Sequence, residues 1–366
     1  MQDGRAQNTY LHRMPVISRG AALALASAIL FGASTPLAKL VLGSGVDPWL
    51  LAALLYLGSG IGLAAALAAR RFVGSEPAEA SLQRRDIGWF ALAIAFGGVL
   101  APVLLMFGLA RTDASAASLL LNIEGLATMA IAWLVFRENV DRRLLLGAFA
   151  ILAGAVLASW QGGPSGVGWG ALLIAAACLA WAIDNNLTRK LSASDPTQIA
   201  MIKGLAAGGV NLALALFNGV ALPAAGTLAG AAAIGFFGYG VSLVLFVLAL
   251  RHLGTARTGA YFSTAPFIGA VLAIMLFDEP LTLRLLAAAA LMGLGVYLHL
   301  TERHAHEHAH EATAHAHSHV HDAHHQHMHG ADDPSGEPHT HWHEHARLLH
   351  HHPHYPDLHH RHKHSH

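Results

Sequence analysis

The chain is short of charge. Asp, Glu, Lys and Arg make up 12% of its 366 residues, about half the roughly 25% of an ordinary soluble domain. Acids and bases balance at 22 each, so no net positive field points to nucleic acid as a partner. Cysteine is nearly absent. The single Cys178 lies inside an apolar run, which excludes a disulfide within the chain and reads as packing rather than as a reactive thiol. Signatures of catalysis are scarce as well: there is no Walker loop, no dinucleotide fingerprint and no G-x-S-x-G, and the H-E-x-x-H string His306–His310 lies within a histidine-rich repeat rather than on an apolar-periodic helix. Nothing here supports an enzyme, a required cofactor, or ATP coupling within the chain. Any transport would draw on an ion gradient or run downhill.

What is present is apolar sequence, 54% of the residues. A membrane-spanning helix needs ~20 mostly apolar residues. Ten segments meet this, at 19–42, 48–69, 87–108, 114–136, 143–160, 166–187, 197–217, 226–250, 256–277 and 283–300. The first is too long for a signal-peptide core of ~7–15 residues, and no A-x-A-like site closes it. Turn signals mark the gaps: Asp47-Pro48, Gly162-Gly163-Pro164, Asp195-Pro196 and Glu279-Pro280. With a cytoplasmic N-terminus, the inside segments hold 18 Lys/Arg and the outside segments only Lys39, Arg111 and Arg284. Positive charge marks the cytoplasmic side. The expectation is a multi-pass protein of the inner (plasma) membrane with both termini in the cytoplasm and the lipid bilayer as its first partner. Whether two copies pair into a homodimer is left open.

The chain also repeats itself. At a shift of 141, Gly97 falls on Gly238, Phe136 on Phe277, Glu138 on Glu279, Arg143 on Arg284 and Gly154 on Gly295. At a shift of 148, Asp47-Pro48 falls on Asp195-Pro196. Leu and Ala matches are cheap in such a sequence, but polar residues are scarce, so the Phe-x-Glu-x4-Arg-Leu-Leu match is informative. The predicted organisation is a cytoplasmic segment 1–17, a five-span half 18–160, a second five-span half 166–300, and a tail 301–366. Five is odd, so the halves must lie in opposite orientations. Inverted repeats of this kind are the architecture of alternating-access transporters.

Two five-span halves, each with an acid closing its fourth span, resemble the EamA branch of the drug/metabolite transporter superfamily. The resemblance is carried by Phe31-Gly-Ala-Ser-Thr-Pro-Leu-Ala-Lys39, by Asn122-Ile-Glu-Gly125 through Phe136-Arg-Glu138, by Trp181 through Lys190, and by Thr264-Ala-Pro266 through Asp278-Glu279. It covers about 18–300 and leaves the tail outside. It implies an all-α integral membrane fold of ten helices and secondary transport of small solutes, often outward. It supplies no substrate.

Ionisable residues inside spans are costly, on the order of 2.5–3.5 kcal/mol at the helix centre on insertion scales, and so mark sites or partners. Glu124, about eleven residues into the fourth span, reads as a proton or cation site; the alternative is a structural pair with Lys203. Lys203 itself, in the seventh span, either pairs with Glu124, holds an anionic group of a solute, or snorkels to the interface. Asp184, Asn185 and Asn186 either line an inner vestibule or end a helix. Glu138 and Glu279 are expected in interfacial salt bridges, Glu138 with Arg142 at i+4. Asn122 and Asn211 are further polar candidates. Pro36, Pro102 and Pro266 each free a backbone carbonyl, which lipid tolerates only beside protein or water. The GxxxG pairs Gly58/Gly62 and Gly204/Gly208 read as close helix packing.

The tail is of another kind. His304–His366 contains 25 histidines. Three runs alternate: His304, His306, His308 and His310; His315, His317, His319 and His321; His339, His341, His343 and His345. In an extended chain, residues two apart share a side, so each run could present several imidazoles to one ion. With acids, prolines and little apolar sequence, the tail is expected to be disordered. The leading reading is a proton-coupled exporter of a divalent metal such as nickel, cobalt or zinc, which the tail would concentrate at the inner mouth. Against it, the spans hold almost no imidazole or thiol. The alternative is export of amino-acid-like or other small metabolites, with the tail as a metal sensor or an incidental appendage. A membrane-anchored metal-binding module would not need ten duplicated spans.

Overall fold

The computed structural model describes residues 19–72, 87–136, 142–160, 166–188, 195–253, 255–301 and, in the tail, 304–310, 313–319, 339–345 and 348–354. Ten helices are long and apolar enough to cross a membrane. In order, the spans are α1 (Arg19–Gly43); α2 (Pro48–Phe72); α3 (Ile87–Ala93), a π-helical stretch and α4 (Ala101–Leu109); α5 (Ala114–Leu120) and α6 (Asn122–Phe136); α7 (Arg142–Ser159); α8 (Trp169–Thr188); α9 (Pro196–Phe217); α10 (Ala225–Gly235), a π-helical stretch and α11 (Ser242–Leu253); α12 (Thr255–Phe262) and α13 (Ala265–Phe277); and α14 (Leu283–Leu300). An even count puts both ends of the bundle's chain, Arg19 and Leu300, at one end, here the near end. The connections 43–48, 109–114, 159–169, 217–225 and 277–283 lie at the far end.

The inverted repeat extends to local irregularities. The π-helical stretches cover Ile94–Leu100 in the third span and Phe236–Val241 in the eighth, nearly coincident at the 141 shift. The fourth span breaks at Leu121 and the ninth at Ser263–Thr264, again matching. Pro266 opens the half-helix after the second break. Gly125, which replaces it in the first half, nevertheless follows a break of the same kind.

Association of helices in lipid gains little from the hydrophobic effect, so small residues that let backbones approach must hold the bundle. The second and seventh spans meet this way. A Cβ on Gly204 would lie 2.7 Å from Gly60 N, and one on Gly208 2.7 Å from Leu57 N. Gly58 faces Ala232 O at 2.2 Å in the same measure, bringing in the eighth span. The fifth and tenth spans cross at Gly147 and Gly295, each backed against the other's carbonyl. The glycine pairs are thus packing residues, as their spacing predicts. Cys178 is buried with its Sγ 3.7 Å from Leu120 O, also a packing position.

The largest fully buried side chains include Leu50, Leu51, Leu55, Leu105, Met106, Leu109, Leu119, Leu120 and Ile174. All of these lie in the far half of their spans. Most of the largest core side chains thus form a plug towards the far end, and the ionisable Glu124, Asp184 and Lys203 lie on its near side.

The tail lies outside the ten-helix bundle. Where composition predicts no persistent structure, β1 (His304–His310) pairs antiparallel with β4 (Leu348–His354), and β2 (Thr313–His319) with β3 (His339–His345). The period-two alternation that spaces the histidines also suits an extended strand. His321 lies outside the described residues, as does Glu138.

Candidate transport site

The polar cluster is built where the fourth, sixth and seventh spans meet the π-helical stretch of the third. Glu124 lies in the first turn of α6, just past the break, where the free N–H groups of a half-helix favour negative charge. Its carboxylate accepts from Asn185 Nδ2 at 2.9 Å. The same amide reaches Thr128 Oγ1 at 3.3 Å, one helical turn further along α6. Asn186 donates to Thr128 O at 3.3 Å. The sixth span thus holds the fourth through two consecutive asparagines, and both belong to α8 rather than ending it. Asn185 and Gly125 are exposed, on the near side of the plug.

Asp184 is 4% exposed and forms an ion pair with Lys203. The alternative pairing of Glu124 with Lys203 is not formed: Lys203 meets Asp184 of α8 instead. Thr188 Oγ1 donates to the other Asp184 oxygen at 3.1 Å. The pair fits because residue 97 is glycine; a Cβ there would stand 2.0 Å from Asp184 Oδ2. The Gly97 carbonyl accepts from Tyr56 Oη at 2.6 Å and from Trp181 Nε1 at 3.0 Å. A π-helical stretch offers carbonyls to partners outside the helix, and such stretches gather at functional sites. Tyr56 and Thr128 have no charge or motif to mark them in the sequence; Trp181 opens the sixth-span segment that carries the family resemblance, but nothing in the sequence gives it a place in the site.

An aromatic group adjoins the cluster through Tyr56. Phe31 packs on Tyr239 and Phe262 with ring centroids 6.0 and 5.3 Å away, and Tyr56 meets Tyr239 at 5.7 Å. Gly238, the repeat mate of Gly97, backs onto Ser34, with a Cβ–Cβ separation of 2.6 Å if it were alanine.

Similarities to known proteins place this architecture. The model of the EamA-like transporter family matches residues 18–160 and 168–301, which is well over half the chain. The chain belongs to the EamA-like transporter family. It is a multi-pass membrane transporter of the drug/metabolite superfamily. A protein of Methanothermobacter thermautotrophicus described as an uncharacterized transporter is 30% identical over 281 residues, 71% of this chain and 79% of that one. A solved crystal structure covering 77% of this chain and 97% of its own agrees at a TM-score of 0.54 and 21% identity, which speaks for the fold alone.

Within this EamA-like bundle, the residues singled out by sequence divide. Glu124, Asp184 and Lys203 come together with Asn185. Asn122 and Asn211 do not join them. Asn122 donates to Leu119 O at 2.8 Å, across the break in the fourth span. Asn211, fully buried, reaches the Gly98 and Val99 carbonyls of the π-helical stretch at 3.3 and 3.4 Å. Pro266 shapes the ninth span. Glu279 makes no salt bridge among the described residues. Its carboxylate accepts instead from the backbone N–H of Ala114 at 2.7 Å and Ser115 at 3.0 Å. Among the described residues, no group of three or more His, Cys, Asp or Glu is gathered to hold a metal ion. In the tail ladders the register sets His306 opposite His352, His308 opposite His350, His315 opposite His343 and His317 opposite His341.

Proposed function

We propose that this transporter exports a small amino-acid-like metabolite across the inner membrane by alternating access of its two halves, and that it is coupled to protons. Lys203 and Asp184 engage the charged groups of the solute, and Glu124 carries the proton. The near end is cytoplasmic, which follows the distribution of Lys and Arg along the chain. The observation that carries this reading is the ion pair. A carboxylate matched by an ammonium is a poor site for a divalent cation, whereas a solute bearing both charges can exchange with the pair in kind. The sequence alone leans towards nickel, cobalt or zinc as cargo; the chemistry around Asp184 moves the balance to the metabolite.

The tail keeps a separate reading. Its alternating histidines bind divalent metal such as Ni, Co or Zn, as a sensor or store at the cytoplasmic face. The chain would gather imidazoles around the ion as it binds.

Glu124→Gln tests the coupling, since it keeps the size and the Asn185 contact while removing the charge. In proteoliposomes, solute flux driven by a pH gradient should fall at least tenfold, with exchange of labelled solute at equal pH retained. Full gradient-driven flux from pH 5 to pH 8 would sink the proton assignment. The same vesicles, loaded in turn with amino acids and with divalent metals, decide between the two cargoes.

A further inference from the structure

The far end of the bundle is fastened by a contact between the two halves that belongs to no ion pair. The fourth span opens at Ala114. The residue before it, Asp113, has the backbone of a helix cap (φ −57°, ψ 143°), yet its side chain caps nothing. The free N–H groups of Ala114 and Ser115 are taken by Glu279, 165 and 164 residues away in the other half. Glu279 reaches them because Asp278 closes the ninth span in the left-handed conformation, φ 50° and ψ 36°. It is the one non-glycine residue with positive φ among those described. Aspartate is among the few non-glycine residues that take this conformation, and the turn brings Glu279 to the start of the fourth span. Beside it, Lys39 of the first span donates to Leu109 O at 2.6 Å and Thr112 O at 3.0 Å, fastening the chain just ahead of the same helix start. Below this, Ser118 packs against Gly269 of the ninth span, and Ser118 is 1% exposed.

We infer that Glu279 is a gate residue: its carboxylate on the Ala114 and Ser115 N–H groups latches the fourth span of one half to the ninth span of the other, and the latch must open for the far side to open. This rests on the alternating-access reading. The bond suits a latch. It is charge-assisted and therefore strong, it crosses between the halves, and its acceptor is a single side chain that water can replace once the halves part.

The test reads opening directly. In a Cys178→Ala background, Ser118→Cys places one thiol beneath the latch. The purified full chain in nanodiscs is labelled with a charged maleimide, and the rate is followed by mass. Glu279→Ala should raise the rate about tenfold, equal to about 1.4 kcal/mol in the closed-to-open balance. Glu279→Gln, which can still accept, should raise it less. Ala114→Pro separates a latch from a helix cap. Proline is tolerated in the first turn and removes one donor without disturbing the helix. The extended Asp113 backbone is what a following proline requires. Ala114→Pro should therefore also speed labelling, and combining it with Glu279→Ala should add little, as expected for two partners of one contact. If Glu279→Ala leaves labelling unchanged, or if Ala114→Pro leaves it unchanged while Glu279→Ala speeds it, Glu279 serves only the helix end and the latch is wrong. Failure of the proton assignment would appear as full gradient-driven flux in Glu124→Gln whatever the labelling rate at Ser118→Cys, so the two ideas fail separately.

Discussion

Lys203→Met should destabilise the protein more than removing both charges of the ion pair together. Asp184 has a side chain 5% exposed, against 18% for Lys203. Without the ammonium, Asp184 keeps Thr188 Oγ1 on one oxygen. The other faces the Cα of Gly97, with too little room there for a replacement donor. Breaking a buried pair by removing one partner costs about 3–5 kcal/mol. Partial exposure of Lys203 lets some water in, so the lower end, about 3 kcal/mol, is the expected loss, or about a hundredfold in the folded ratio. Asp184→Asn is milder, about 1–1.5 kcal/mol, because a free ammonium on a four-carbon stem can turn towards water. The double variant leaves two neutral groups that can still pack and should lose about 1 kcal/mol. The coupling across the cycle is then about 3 kcal/mol in magnitude. Reversible unfolding in mixed micelles, followed by the fluorescence of the chain's tryptophans, measures it. Single costs that simply add in the double variant, or a Lys203→Met loss under about 0.5 kcal/mol, would refute a buried and mutually dependent pair. Transport should be lost in all three variants whatever their stability.

Two further outcomes follow from the same geometry and from the tail. Gly97→Ala should displace the Asp184 carboxylate, abolish transport and cost about 1–3 kcal/mol by overpacking, whereas Gly125→Ala, with nothing within 4 Å of its Cβ, should leave stability unchanged. A peptide covering His304–His366 should bind Ni or Zn in calorimetry at pH 7.5 and lose most of that affinity at pH 5.5, because protons compete for imidazole below about pH 6.5; equal affinity at both values, or a preference for Mg, would remove the metal reading of the tail.

Ten spans, the inverted repeat and the family were legible in the chain because each rests on hydropathy or on scarce polar residues recurring at fixed distance. Glu124, Lys203 and Asp184 were legible for the same reason: a charge in a span stands out. Their pairing was not. Which acid meets Lys203 depends on how α8 and α9 pack against each other, and no local pattern encodes that. Asn122 and Asn211 looked like site residues, but the backbone irregularities consume them. The breaks and π-helical stretches leave carbonyls that need donors, and a buried amide supplies them. Glu279 misled in the opposite sense. An acid near a basic residue suggests a salt bridge, but the stronger demand came from two unpaired N–H groups at a helix start in the other half.

The repeat duplicates backbone devices but not side-chain chemistry, and that difference shapes what the site can select. Gly97 backs onto Asp184, while its mate Gly238 backs onto Ser34. One wall therefore carries Glu124, Asp184 and Lys203, and the other carries Phe31, Tyr239 and Phe262. A solute held between them would place its charged head on the first wall and its apolar part on the second. Phe31→Ala then discriminates by side chain. Uptake of an amino acid with a large apolar side chain into inverted vesicles should weaken about tenfold, corresponding to about 1.4 kcal/mol of lost apolar contact. Glycine and alanine, too short to reach the rings, should be transported as before. Asp184→Asn should abolish transport of all of them alike, because every member of the series presents the same ammonium. Equal losses for large and small solutes in Phe31→Ala would mean that the ring is a structural support for the first span, and that the aromatic wall takes no part in selection.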